Sequence, residues 1–283
     1  MPEHKLKIGA TLLPLYLVAQ EVAGNAADVQ LIPSAGAASP GFLPDERVAH
    51  SFVVFDIIFW SGTALDDWFT RLLPDSDVKG STPRLVNIAK GINLLPSDRQ
   101  ENGASPLPAE NPYYWLDMGR TIIIASTMRD ELIALEPQRK MLYWSQTSAF
   151  FEQLTVIDRD IRERRKGFAT HYLVSEYPFF TYFDQSYGLT PLGSLAAQRG
   201  GARDDAHLAR ITHDMKTHKV RAIFVSPDTP SWITEFAQTQ KYNLYVFDPM
   251  LYSTSTAGLT FNAIMRRNIE SLSQGLHYQP PAD

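Results

Sequence analysis

The sequence predicts an α/β fold of two lobes bridged by one long rigid α-helix. Three observations carry that prediction. Short apolar runs alternate with stretches of helical periodicity along the whole chain, the pattern of parallel sheets covered by helices. The run Val53-Val54-Phe55-Asp56-Ile57-Ile58-Phe59-Trp60 is almost continuously apolar, as expected of a strand buried on both faces. From Gln138 to Lys166 there is neither proline nor glycine, and Phe150, Leu154, Ile157 and Ile161 recur at helical spacing. Unbroken, that helix spans roughly 40 Å at 1.5 Å per residue, enough to cross between two lobes.

In chain order, Lys5–Thr11 reads as a first strand and Leu15–Ala23 as a first helix ended by Gly24. Val29–Pro33 is the second strand, stopped by its proline. A small-residue loop, 34–41, leads to a helix at Asp45–Ser51 behind Pro44, and then to the apolar run at 53–60. Leu85–Ala89 is a further strand, and the polar stretch Ser97–Asn111, with Pro106 and Pro108, is an exposed loop. Asp117–Leu135 has helical periodicity, and Pro137 suits the first turn of the long helix. The second half repeats the alternation. Its strands are expected at Phe168–Val174, Val220–Ser226 and Asn243–Phe247, and its helices at Phe179–Tyr187, Asp204–His218, Pro230–Gln240 and Leu259–Ser273. The expected organisation is an N-terminal lobe over 1–136, the linking helix over 137–166 and a C-terminal lobe over 167–283. Ligands of open α/β sheets bind at the C-terminal ends of strands, so the cleft between lobes is the expected site.

Composition narrows the function. The chain has 283 residues, 44% hydrophobic and 20% charged, which suits a folded domain and excludes a disordered one. The formal charge is -5, and the one basic cluster, Arg162–Lys166, ends a helix whose dipole favours cations. Nucleic acid is therefore not an expected partner. Cysteine is absent, which excludes thiolate catalysis, thiolate metal sites and disulfides. No apolar stretch reaches the ~20 residues that span a bilayer. Lys5 and Lys7 before an apolar run only partly mimic a secretory signal, so any such signal is expected to lie before Met1.

Enzyme signatures are missing: no G-x-S-x-G elbow, P-loop, G-x-G-x-x-G or H-E-x-x-H occurs. The seven histidines are scattered, and His213 and His218, five apart, do not share a helical face. The carboxylate pairs Asp66-Asp67 and Asp158 with Asp160 read as solvated helix faces. No acid, base or nucleophile is assigned, and no catalysis is expected; a hydrolase using Asp248 and Glu176 lacks a recognisable nucleophile.

Several stretches together resemble one family. Asp56–Gly62 followed by Thr63-Ala64-Leu65-Asp66-Asp67-Trp68 looks like "A-D-x-V-x-x-N-G-x-G-L-E-x-W". Asn111-Pro112-Tyr113-Tyr114-Trp115-Leu116-Asp117 is similar to "D-P-H-x-W-L-D", and Glu136-Pro137 with Tyr143 to "D-P-x-x-x-x-x-Y". Tyr182-Phe183 with Tyr187-Gly188-Leu189 matches "Y-F-x-x-x-Y-G-L"; Phe247-Asp248-Pro249-Met250 matches "L-D-P-L"; Met265 with Asn268 matches "M-x-x-N". Order and spacing are those of the zinc- and manganese-type (TroA-like) solute-binding proteins of ABC transporters. The resemblance implies two α/β lobes on a rigid helix. It also implies a monomeric periplasmic or extracytoplasmic protein that delivers a metal ion or metal-related ligand to a transporter permease. The rival reading is a scaffold that keeps the fold without binding metal.

The resemblance also implies a metal site, and here the chain departs. In "H-x-F-x-P" the histidine is replaced by Pro40 of Pro40-Gly41-Phe42-Leu43-Pro44. The second ligand position is Tyr113, the third Tyr177 or, with a one-residue insertion, Glu176, and the fourth Asp248, which alone keeps its type. Tyr113 is expected in the lobe opposite Glu176, Tyr177 and Asp248, so that all converge on one cleft. Two phenols and one or two carboxylates form an oxygen-only set, which suits ferric iron or manganese, while zinc prefers imidazole. On that chemistry zinc ranks behind oxygen-preferring metals. A metal chelate, a small organic ligand, or tyrosines that merely fill space with no ion bound are the alternatives; the aromatics around these positions suit a small-molecule pocket.

Overall fold

The computed structural model describes residues 5–32, 45, 47–73, 83–97, 110–196, 201, 203–251 and 258–277. The Pro40–Pro44 position and most of the expected 97–111 loop lie outside the described residues. The elements are β1 (Leu6–Ala10), α1 (Leu13–Ala23), β2 (Ala27–Leu31), α2 (Arg47–His50), β3 (Ile57–Trp60), α3 (Asp67–Leu72), β4 (Arg84–Asn87), α4 (Met118–Leu135) and α5 (Lys140–Arg165). They continue with β5 (Tyr172–Ser175), α6 (Thr181–Tyr187), β6 (Thr190–Ser194), α7 (Asp205–Thr217), β7 (Ala222–Val225), α8 (Ser231–Gln240), β8 (Asn243–Val246) and α9 (Phe261–Leu276).

The strands form two parallel four-stranded sheets, ordered β2-β1-β3-β4 and β6-β5-β7-β8. Each sheet thus repeats one topology: its first strand lies between its second and third, and the fourth follows the third. The strand order reverses between β1 and β3 in one sheet and between β5 and β7 in the other. Crevices at such switch points, at the carboxyl ends of the strands, are where α/β sheets take ligands.

The chain sorts into two compact units, each built from three stretches. The first comprises Met1–Leu94, Met118–Thr155 and Met250–Phe261; the second comprises Leu95–Asp117, Val156–Pro249 and Asn262–Asp283. The long helix is real and serves both: α5 has 26 residues, about 39 Å, and passes from the first unit to the second after Thr155. It is entered by a short 3-10 turn, Pro137–Arg139, not by α-helix from Gln138. At this entry the Tyr143 hydroxyl donates to the Glu136 carboxylate, which gives the Glu-Pro…Tyr spacing a physical purpose. Burial and that carboxylate push the Tyr143 phenol above its ordinary pKa. The basic end of α5 is paired internally, Arg162 with Asp158 and Arg164 with Asp160, each one helical turn apart.

In the first unit, Ile32, Phe52, Phe55, Ile58, Trp68 and Phe69 form one apolar cluster on the sheet. In the second, Val174, Ile223 and Val225 of the sheet pack with Leu208, Ile211 and Met215 of α7 and Ile233 and Phe236 of α8. Two local expectations fail. Phe52–Val54 coils as a 3-10 turn, so the strand starts at Ile57 and Val53 is 63% exposed. The edge strand β6 was not anticipated, because Pro191 and Gly193 interrupt its apolar pattern.

Candidate ligand site in the second unit

The site builds from the sheet upward. At the end of β5 the chain turns through Glu176 and Tyr177, and the Glu176 N–H still donates to the Phe224 carbonyl of β7 (2.8 Å). Ser226 follows β7 directly, across the switch point from Glu176. Its N–H and its hydroxyl both donate to Oε2 of Glu176, at 2.9 and 2.7 Å. The other oxygen, Oε1, is buried and makes no well-formed hydrogen bond among the described residues, and the buried Thr229 hydroxyl near the carboxylate makes none either. Glu176 is only 1% exposed, and burial, helped by the nearby Asp228 charge, pushes its carboxyl above the ordinary value against the pull of the Ser226 donors and the Thr229 hydroxyl.

Asp248 follows β8, two strand spacings or about 10 Å along the sheet from β5. Its main chain is clamped by one side chain: Oδ1 of Asn268 on α9 accepts its N–H (2.7 Å), and Nδ2 of Asn268 donates to its carbonyl (2.8 Å). The Met265…Asn268 spacing is thus a device for holding Asp248, and the clamp uses only Asp248 backbone atoms.

Tyr113 reaches the same place from the segment before α4. Asn111 anchors that segment: its Nδ2 donates to the Pro178 carbonyl and the Thr181 hydroxyl, both at 2.8 Å, and its Oδ1 accepts the Tyr113 N–H at 3.0 Å. The Tyr182 hydroxyl donates to the Asn111 carbonyl (2.6 Å), the Ser186 hydroxyl donates to Asp117, and Trp115 Nε1 donates to the Pro249 carbonyl (3.0 Å). These bonds tie the 111–117 motif to the 182–188 and 247–250 motifs. Gly188 ends α6 in the left-handed region (φ 62°), where a side chain would be strained.

The rings then form a continuous wall. Tyr113 lies 5.7 Å from Tyr177, Tyr177 lies 5.1 Å from Phe179, and Phe179 stacks on Phe247 at 5.3 Å, next to Asp248. Tyr113, Glu176, Tyr177 and Asp248 therefore all belong to the second unit, where Tyr113 was expected in the opposite lobe. The physical reason is the Asn111 and Trp115 anchoring, which binds the segment before α4 to the turn after β5, to α6 and to the segment after β8. Among the described residues no three His, Cys, Asp or Glu gather into a metal-holding group, so phenols would have to complete any set here.

Sequence reasoning missed Ser226 and misread Asp66. Ser226 carries one legible signal, its place at the carboxyl end of a switch-point strand. Asp66 is not a solvated helix residue: it is wholly buried at the end of a 3-10 turn, Ala64–Asp66. The Asp158 and Asp160 carboxylates, by contrast, stay on the helix surface with their arginines.

Comparison with known proteins now decides the family. The sequence model described as "Zinc-uptake complex component A periplasmic" (ZnuA) matches residues 8–275. The chain belongs to the ZnuA family. It is 23% identical to the zinc-binding lipoprotein AdcA of Streptococcus pneumoniae over 99% of its own length, and spans 58% of that relative. Among solved structures, a Zn(II)-bound variant of AdcAII from S. pneumoniae superposes with a TM-score of 0.84 at 20% identity, covering 96% of this chain and 98% of that one. The Zn(II)-bound ZnuA-like domain of S. pneumoniae AdcA gives 0.79 at 21%, covering 97% and 100%. These relatives correct the ranking of metals: zinc is the metal in both structures, so it does not stand behind oxygen-preferring metals. The physical reason is that zinc also takes carboxylate oxygens at ordinary bond lengths, so lost imidazoles do not exclude it.

Proposed function

We propose that this ZnuA-family chain is an extracytoplasmic solute-binding protein that hands a metal ion or a metal-bearing ligand to the permease of an ABC importer. The reading assigns it no reaction. Its ligand-holding residues are Tyr113, Asp248 and, at the third position, Glu176 with Tyr177 beside it. The observation that carries the reading is Glu176, a buried carboxylate at a switch point with one oxygen that makes no well-formed hydrogen bond among the described residues. Such an atom is costly to leave unsatisfied, and a cation removes the cost. Zinc is the probe of choice. Equilibrium dialysis of the purified chain against zinc chloride, with metal quantified by mass spectrometry, should give one zinc per chain, reduced in Asp248→Ala and in Tyr113→Phe. Full retention of zinc in both variants would remove these residues from the site.

A second reading concerns what surrounds the metal. The wall Tyr113–Tyr177–Phe179–Phe247 offers flat apolar faces of the kind that line small-molecule pockets. It favours a metal carried inside an organic chelate. Failure of bare zinc to bind, together with retention of a zinc chelate, would select this form.

A further inference from the structure

We propose that Ser226 makes Glu176 a one-oxygen ligand, presenting Oε1 alone to the bound cation. The inference rests on the reading of Glu176 as a ligand and adds how that ligand is shaped. An ionised carboxylate oxygen has two in-plane lone pairs. On Oε2 both are taken, one by the Ser226 N–H at 2.9 Å and one by its hydroxyl at 2.7 Å. Oε1 is equally buried and makes no well-formed hydrogen bond among the described residues; the buried Thr229 hydroxyl, also without a well-formed bond, lies near the carboxylate. The two oxygens of one side chain are therefore inequivalent before any cation arrives. Ser226 is itself 2% exposed, so water does not compete for its donors. The backbone half of the grip is fixed by the sheet: Ser226 leaves β7 beside β5, the strand that delivers Glu176.

Ser226 is thus a positioning residue that acts through Glu176. Hydrogen bonds of this kind to metal-binding side chains fix their orientation, and their loss typically weakens metal binding 10- to 100-fold. In Ser226→Ala the N–H bond persists and one lone pair of Oε2 is released. Both oxygens can then reach a cation, and the carboxylate is held by one Ser226 bond in place of two.

Difference infrared spectroscopy of the full chain, before and after zinc chloride, tests this. One-oxygen coordination separates the antisymmetric and symmetric carboxylate stretches more widely than two-oxygen coordination, and Glu176→Gln identifies which bands belong to Glu176. The expected result is a wide separation in the wild type, a narrower one in Ser226→Ala with about tenfold weaker zinc binding, and recovery of both in Ser226→Thr. Unchanged bands and unchanged affinity in Ser226→Ala would overturn the role of Ser226 and leave Glu176 a ligand. A zinc-induced spectrum identical in wild type and Glu176→Gln would overturn the ligand reading itself. Should Ser226→Ala fail to fold, Ser226→Gly removes the same hydroxyl and is read in the same way.

Discussion

The two units place a buried carboxylate at the same topological position and treat it differently. In the first unit Asp66 sits where β1 and β3 diverge. Its Oδ2 accepts from the Thr11 hydroxyl (2.5 Å) and the Ser61 N–H (2.6 Å), and its Oδ1 from the Ser61 hydroxyl (2.6 Å). Thr11 follows β1 and Ser61 follows β3, so one side chain ties both strand ends. Gly62 lets the chain turn there: its φ is +75°, and a Cβ would lie 2.1 Å from the Asn87 side chain. In the second unit Glu176 sits where β5 and β7 diverge, with Ser226 in the place of Ser61. Only one of its oxygens is fully satisfied; the Thr229 hydroxyl lies near the carboxylate without a well-formed bond. A carboxylate with donors on both oxygens is a structural tie. One with donors on a single oxygen is still able to take a ligand.

The largest expected effect breaks the saturated site. Asp66→Ala leaves the Ser61 and Thr11 donors buried without an acceptor and should lower unfolding free energy by about 4 kcal/mol in chemical denaturation. Glu176→Gln removes an incompletely satisfied buried charge and should change stability by no more than about 1 kcal/mol. A reversal of that order would mean that the two carboxylates have exchanged roles. Intermediate in size is Asn268→Ala, which strips both backbone partners from Asp248. It should cost about 2 kcal/mol and weaken zinc binding as well, because the strand end it holds carries a ligand.

The pH dependence sharpens the contrast further. Burial pushes the Asp66 carboxyl above its ordinary value of 3.8, the nearby hydroxyls and N–H groups opposing that shift without cancelling it. The folded state therefore holds this proton more tightly than the unfolded one. Stability from this group is greatest at low pH and declines as pH rises above 3.8, until the folded-state value is passed. Urea titrations of wild type and Asp66→Asn across the acid range should show that downward contribution in the wild type alone. An identical pH slope in both would show that the hydrogen bonds to Asp66 fully offset burial. The smallest effect belongs to the surface: Lys166→Ala breaks an exposed pair with Glu163 on α5 and should alter stability by less than about 0.5 kcal/mol.

Legibility in the sequence followed burial. Strands such as β3 and β7, whose every residue is apolar, were evident as runs, and α5 was evident from its uninterrupted periodicity. The edge strand β6 was hidden because an edge tolerates proline and glycine. Val53 and Val54 extended an apolar run that the backbone leaves by a 3-10 turn. For the site, the strand-end placement of Glu176 and Asp248 could be read from the ends of apolar runs. The unit to which Tyr113 belongs could not, because it depends on Asn111 and Trp115 bonding to residues more than sixty positions away. Nor could periodicity separate Asp66 from Asp67: adjacent and identical in type, one is sealed at a switch point and the other exposed.

In the reading proposed above, the half-satisfied carboxylate of the second unit takes the cation. Calorimetric titration of zinc chloride into Glu176→Gln, beside the wild type, tests it most directly. The expected result is one-to-one binding in the wild type, weakened at least 100-fold in Glu176→Gln, a loss of about 2.7 kcal/mol or more. Equal zinc affinity in the two proteins would contradict it.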